Sequence, residues 1–497
     1  MKKKSTLLLI LLMLAVQIIS CSRGNKTEVS IDTLSDGEYN SLSPENQYKV
    51  ANTLLGTLYK GVTVKDFFDL SAGMSSMKVS GGANFMSKTQ STLNTPVKDR
   101  QTYIDQVDQK YYFDDEIQPQ QYPLAMMFEF PLSRDYFDVW MAYTLATTIL
   151  FSPAQELDSV DYADIQKVLY RLTFMIRTDA SIRDIVYAHT TSQENWRRFR
   201  SPEDNTREMM EIYLLRFRDD EVPKAAKCCR NWHLTDGNQG YQLLIEYNEN
   251  DEPQQILDTT VMGCYDFYRA LANHGSLIPA ITSRLVDRFF PNATPDEKSK
   301  IIQGITGSNP ATFRQLFIAI LFSKQYLLNT NRTKYFEETF FNVANRIFWV
   351  PDQAFFAYLN RPPDWWTGLE TMAQMKQAPL NYKLGRRQVP LDSLSFAYYH
   401  KSVREELLVH RKSWDGDRGW QADLYNSVTL WGNDYIQYLF LSVLGRRADS
   451  GELAMLNQIF TTKGYTANTA TNKRNIAMFV LDYCSRLSEL YYQRSVQ

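Results

Sequence analysis

Two carboxylates, Glu208 and Glu211, with Arg207 beside them, are the side chains of this chain whose spacing best suits chemistry. On a helix all three lie on one side, away from the apolar stripe Met210, Tyr213, Leu214 and Phe217. Such a pair can hold a cation, or act as acid and base where burial drives the two pKa values apart. The plainer reading is an Arg207–Glu211 ion pair, with Glu208 fixing a neighbouring loop. His274 follows Asn273 just before an expected helix. An imidazole there can be a ligand or a general base, but more often it caps or bonds a nearby carbonyl. His400 and His410 stand ten residues apart on one expected helix and face different directions. The chain has five histidines and no His-Glu-x-x-His, Gly-x-Ser-x-Gly or phosphate loop. The expectation is therefore no metal and no cofactor.

Cys228 and Cys229 fall on an apolar stripe with Ala225 and Trp232, so core packing is expected ahead of redox chemistry. Four cysteines follow Cys21, too few for a disulfide framework, and none starts a Cys-x-x-Cys spacing. Buried free thiols are the first expectation. A single bridge from Cys264 to Cys228 or Cys229 is the alternative. In Pro362-Pro363-Asp364-Trp365-Trp366, the Trp365 and Trp366 rings offer a platform on which sugars stack. The competing and favoured reading is that they seal a domain junction.

The first residues say where the chain works. Lys2, Lys3 and Lys4 precede an apolar run from Leu7 to Ile19, and Ser20 precedes Cys21. That is the layout of a secretory signal, too short to serve as a comfortable membrane span. Cys21 resembles the lipidation site of bacterial lipoproteins. The implied product loses residues 1–20, carries acyl groups such as palmitate on Cys21, and is held at the cell envelope, with the outer membrane and periplasm as the expected setting. Each buried methylene contributes about 0.8 kcal/mol, so more than one acyl chain is needed for a stable anchor.

The 54 basic and 56 acidic side chains nearly cancel, which gives no field to recruit nucleic acid. The expected partners are the membrane, through the lipid, and an envelope protein or glycan. Residues 21–45 read as a polar tether. Residues 46–150 form an N-terminal helical region, within which the Ser/Gly/Thr-rich stretch 71–97 reads as a mobile insertion. A central helical domain spans 151–350 and a C-terminal helical region 351–497. Helices are expected at 46–70, 135–151, 162–177, 181–189, 264–272, 277–290, 295–304, 310–328, 334–347 and 393–414. Ser201 and Pro202 open another helix, and Gly445 and Asp449–Glu452 mark the end of one and the start of the next. Alternation of Tyr241, Leu243, Ile245 and Tyr247, followed by polar Asn248–Glu252, predicts a small β-hairpin over 241–257. The fold class is mainly α, a multi-helix, bundle-like body.

Residues 193–328 resemble an exported bacterial family known as domain of unknown function 1800. Its Asn-Glu-Asn-Tyr-Ala-Arg-Glu-Leu-Met-Glu-Leu segment is similar to Pro202–Ile212, with Glu203, Arg207, Glu208, Met210 and Glu211 matching. Ala226 and Trp232 match a second segment, Gln254–Asp258 is similar to a third without its glycine, and His274-Gly275 with Arg284-Leu285 is similar to a fourth. The resemblance implies export and no known activity. Two functional expectations follow from the chain as a whole. The first is a lipid-anchored envelope protein that binds or scaffolds a protein or glycan. The second is an envelope hydrolase acting on polysaccharide or peptidoglycan through Glu208 and Glu211, with His274.

Overall fold

Short polar caps, more than long runs of helix-forming residues, divide this chain into its elements. A computed structural model describes residues 31–110, 122–150, 162–235, 241–247, 252–349 and 428–496, except 72, 75, 76 and 81, together with 397, 400, 412–413 and 416–417. Ser35 opens α1 (Asp36–Asn40) in a capping box with Glu38, and Ser43 caps α2 (Pro44–Thr57). After α3 (Val64–Phe67), strands β1 (Phe68–Asp69) and β2 (Lys78–Val79) pair antiparallel, and α4 (Phe85–Thr92) follows.

The stretch 71–97 therefore differs from the mobile insertion expected of it. Met74, Met77, Met86 and Leu93 are all buried, and the Met86 and Ser87 amides donate to Asp36 Oδ1 at 2.8 and 3.3 Å. A few methionines, spaced among polar residues, supply the burial that average composition hides. The folded body also starts earlier than residue 46. Leu34 donates its amide to Phe322 at 2.9 Å, and Thr33 bridges Ser323.

Helices α5 (Arg100–Lys110), α6 (Tyr122–Glu129), α7 (Arg134–Ala146) and α8 (Tyr162–Arg177) come next. Every residue of α7 from Asp135 to Ala146 is buried, which makes it the central helix of its region. Then come α9 (Ile182–Thr190), α10 (Gln193–Arg198), α11 (Pro202–Leu214) and α12 (Val222–Cys228). Helix α11 starts as expected, with Ser201 Oγ accepting from the Asp204 amide at 3.1 Å. It ends earlier than its stripe suggested. Leu215 takes a left-handed conformation, φ 53°, which leaves Phe217 exposed.

The expected hairpin over 241–257 is replaced by two. Strand β3 (Trp232–Thr235) pairs with β4 (Gln242–Ile245), placing Trp232 opposite Ile245, and β5 (Gln254–Ile256) pairs with β6 (Thr259–Val261). The alternating segment is a strand, but it pairs backwards in the chain rather than forwards. Its apolar residues Leu244, Ile245 and Tyr247 stay exposed.

Helices α13 (Cys264–Asn273), α14 (Leu277–Phe289) and α15 (Pro295–Gly307) follow. One helix was expected over 310–328, but Ser323 caps a new start and splits it into α16 (Phe313–Leu321) and α17 (Lys324–Asn329). Strand β7 (Arg332–Thr333) then leads into α18 (Phe336–Arg346). Two-residue strands β8 (Lys412–Ser413) and β9 (Gly416–Asp417) pair with each other. The chain closes with α19 (Asn433–Leu444), α20 (Ser450–Thr462), α21 (Ala470–Ser485) and β10 (Tyr492–Gln493). Gly445 ends α19 at φ 75°, and the Asp449–Glu452 capping box opens α20, both as read from the sequence. Strand β10 returns to pair with β7, so the last residues of the chain lie against its middle. Helix makes up 62% of the described residues and the sheets among them are small antiparallel pairs, a mainly α, bundle-like body.

Candidate functional site: a cation-lined cleft

Arg207 on α11 is half-exposed and stands 3.8 Å from Asp219, so its acidic neighbour is Asp219 in place of the expected Glu211. Glu208 and Glu211 are half-buried on the same helix. His274 serves the turn that precedes α14. Its Nδ1 accepts the Ser276 amide at 3.1 Å, and its Nε2 lies 3.4 Å from both Asp258 Oδ2 and Arg216 Nη1. With Nδ1 accepting, the proton sits on Nε2 and points to Asp258. The hydrogen bond from His274, with a further one from Arg216, holds the Asp258 carboxyl below its usual range. Glu208, Glu211 and His274 line none of the four cavities described in this structure. No group of three or more metal-ligating side chains is found among the described residues. Cys21, Trp365 and Trp366 lie outside the described residues.

The cysteines correct the first expectation. Cys229 and Cys264 form a disulfide that ties the end of α12 to the start of α13, leaving Cys228 and Cys484 as buried free thiols. The two hairpins β3–β4 and β5–β6 bring the chain back on itself between the bridged residues. Burial pushes the Cys228 thiol up to about 11, so it is a poor nucleophile and behaves as a core residue.

A cleft lined by charged side chains lies elsewhere in the fold. Helix α2 presents Lys49, Asn52, Thr53, Gly56 and Thr57 along one side of a cleft, and α18 presents Glu338, Asn342 and Arg346, spaced by four, along another. Arg332 and Lys334 come from β7 and its exit. The end of α19 contributes Arg446, and Glu489, Tyr492 and Arg494 come from the C-terminal segment. The cleft encloses about 220 Å³. Gly56 permits the close approach of its walls, because a Cβ there would lie 2.2 Å from Asn342 Nδ2.

The charges lining this cleft do not balance. Six cations (Lys49, Arg332, Lys334, Arg346, Arg446 and Arg494) face two carboxylates, Glu338 and Glu489. Arg332 is matched by Glu338 at 2.7 Å, and Arg446 by Glu489 and by Glu452 behind it, each at 2.7 Å. Arg346 is buried. Its partners among the described residues are the carbonyls of Val443 (3.0 Å) and Asn342 (3.3 Å) and the Tyr48 hydroxyl. Burial pushes the Arg346 pKa down, with only Tyr48 opposing the shift. Lys334 donates to the Leu490 carbonyl at 3.1 Å. Burial first, and then repulsion from Arg346, lowers its ammonium to about 7 against the pull of Glu338. Asn342 is buried with its Oδ1 unpartnered. Burying cations without matching carboxylates is costly, and an anion held between them offsets that cost.

Reasoning from the sequence missed this site. The spacing of Glu338, Asn342 and Arg346 was visible as a polar stripe, but such a stripe normally marks a solvated face. Nothing local shows that residues near 50, 340, 445 and 490 meet. No family model matches this chain, and no curated protein or solved structure was found to match it.

Proposed function

We propose that this chain is a lipid-anchored protein of the bacterial cell envelope, held through Cys21 at the outer membrane, which binds an anionic group of a protein or glycan partner in the cation-lined cleft. The excess of positive side chains in a partly desolvated cavity carries this reading. The Cys229–Cys264 bridge supports the exported setting, since disulfides persist in oxidising compartments. None of the described helices is long and apolar enough to cross a membrane. The hydrolase reading has less support, because its carboxylates and His274 line no common cavity among those described. Residues 193–328 are read as a remote member of the domain of unknown function 1800 on their motifs alone, and that reading adds no mechanism.

Two measurements test the proposal. Cys21→Ala should move the protein from the membrane fraction to the soluble fraction of the envelope and abolish labelling by a palmitate analogue. Unchanged membrane retention would overturn the anchor. Calorimetric titration of the mature chain with sulfate, phosphate and citrate should show saturable binding that Arg346→Met weakens. A chain that binds none of these anions would overturn the cleft as a binding site.

A further inference from the structure

Lys334 stands between β7 and α18, partly exposed, in the wall of the cleft. Arg346 on α18 and Arg332 on β7 repel its ammonium, and Glu338 on α18 attracts it. That carboxylate is already spent. Each of its oxygens takes one arm of the Arg332 fork, and one also accepts the Tyr335 amide. Burial and the two guanidiniums bring the Lys334 ammonium down to about 7, so about half of these side chains are neutral at that pH. An ordinary lysine is neutral about a thousandfold less often there.

Neutrality changes what the nitrogen can do. An ammonium has three donors and no acceptor, whereas a neutral amine keeps two N–H groups and gains a lone pair. One N–H suffices for the bond to the Leu490 carbonyl at 3.1 Å. A desolvated lysine beside another cation is a nucleophile suited to imine formation with carbonyl compounds.

Low basicity by itself does not make a site, and the fold contains the comparison. Burial also brings Lys60 down to about 7, against the pull of Glu129. Its Nζ donates to the Phe128 carbonyl at 3.0 Å and lies 4.9 Å from the centre of the Tyr136 ring. Lys60 lines none of the four cavities described. Lys334 lines a cleft of about 220 Å³ whose wall also holds Lys49, Arg494 and the buried Arg346. That volume lies below the range of drug-sized ligands and suits a small acid.

We propose that Lys334 is a covalent binding site for 2-oxo acids, forming an imine with the carbonyl carbon while Lys49 and Arg494 hold the adjoining carboxylate. The Nζ lone pair attacks the carbonyl carbon, and the C=O electron pair moves to oxygen. A C–N bond forms, the oxygen leaves as water with both amine hydrogens, and nothing is oxidised or reduced. A proton taken up by the imine nitrogen restores the donor to the Leu490 carbonyl. A 2-oxo acid joins carbonyl to carboxylate directly, which fits so small a cleft. It comes either as a free acid or as a sugar whose open-chain form is a 2-oxo acid. This rests on the anion-binding reading of the cleft and adds a covalent bond to it.

Borohydride trapping on the mature full chain tests it. Pyruvate, N-acetylneuraminate and acetone are each mixed with the protein at pH 7, and hydride from the added borohydride turns any imine into a stable secondary amine. Peptide mapping by mass then reads the label at each lysine. At least one of the two acids should label Lys334 about tenfold or more above Lys60 and the exposed lysines. Label from pyruvate alone identifies the free acid as the ligand, and label from N-acetylneuraminate identifies the sugar. Acetone lacks the acid group and should label Lys334 about tenfold less. Excess sulfate should suppress the label, and Lys334→Arg should abolish it while keeping sulfate binding. If sulfate binds but neither acid labels Lys334 above Lys60, the covalent site is wrong and the cleft reading survives. Acetone labelling equal to that of pyruvate and unmoved by sulfate also overturns the site, because the amine then reacts without recognising the acid. If sulfate does not bind and Lys334 stays unlabelled, both readings fall.

Discussion

Arg332 and Glu338 form a fork-to-fork pair, each carboxylate oxygen 2.7 Å from a separate guanidinium nitrogen, with both side chains buried. The same guanidinium donates to Tyr326 Oη at 2.8 Å, and Tyr326 Oη lies 2.6 Å from Thr57 Oγ1. Glu338 Oε2 also accepts the Tyr335 amide at 2.9 Å, closing the first turn of α18. One ion pair thus joins α2, α17, β7 and α18 beneath the cleft. Glu338→Gln strands a buried cation and should destabilise the fold by about 3–5 kcal/mol in urea titrations. The double change Arg332→Met with Glu338→Leu removes both charges and should be less destabilised than either single change. A double mutant as unstable as the sum of the two would show that the charges do not act as a pair.

Two glycines that let α2 and its exit approach α18 should respond differently to the same change. A Cβ on Gly61 would lie 2.4 Å from the Asn342 carbonyl oxygen and 2.7 Å from Arg346 Cγ. Backbone cannot yield there, so Gly61→Ala should cost about 1–3 kcal/mol through forced separation of the helix from the loop. At Gly56 the obstacle is the Asn342 side-chain amide, and alanine within α2 gains about 1 kcal/mol of helix propensity. Gly56→Ala should therefore be the milder change in stability, yet should weaken sulfate binding by displacing Asn342. Equal thermal midpoints for the two variants would contradict this account.

The pH dependence of anion binding should follow Lys334. Its neighbours are Arg332 on β7, Arg346 and Glu338 on α18, and the Leu490 carbonyl from the C-terminal segment. The ammonium titrates at about 7, so its charge is present below that pH and lost above it. Sulfate keeps one charge state across this range, and its affinity should fall by about tenfold as pH rises through 7, the worth of one charge contact near the surface. Lys334→Met should flatten the profile. Stability carries the opposite sign. The folded pKa lies below the ordinary lysine value of about 10.5, so the unfolded chain binds the extra proton between the two values. Relative to Lys334→Met, the wild-type chain should gain stability as pH rises from about 7 towards about 10.5. A pH-independent difference between the two proteins would remove Lys334 as the titrating group.

Helix starts and stops were legible in the sequence because caps are local. Ser201, Gly445 and the Asp449–Glu452 pair all act within a few residues, and all act as read. Pairing was less legible. The strand at 242–245 was visible, but the choice between Trp232–Thr235 and Gln254–Ile256 as its partner depends on which face the body covers. The cleft was not legible at all. Its walls come from segments hundreds of residues apart, and its most buried member, Arg332, is a residue type expected at the surface. The carboxylates Glu208 and Glu211 drew attention because their spacing is local, and local spacing is what a sequence displays.

The Cys229–Cys264 bridge should account for a measurable part of the stability of the central region. It closes a 35-residue span that contains both hairpins, β3–β4 and β5–β6, whose strands are only three or four residues long. Hairpins this short hold poorly on their own, so the cross-link restrains the unfolded chain more than the strands restrain each other. Chain-entropy arguments for a loop of this length give about 4 kcal/mol, an upper figure since measured effects often fall short. Cys229→Ala with Cys264→Ala should lower the midpoint of urea unfolding by a corresponding amount, and reduction of the wild-type chain should match the double variant. Cys228 is buried, with its Sγ 3.8 Å from the Val261 carbonyl and its thiol titrating at about 11, so it should not exchange into the bridge. Peptide mapping under non-reducing conditions should recover Cys229 joined to Cys264. Recovery of Cys228 joined to Cys264 would mean that α12 ends in a register other than the one that places Cys229 against Cys264.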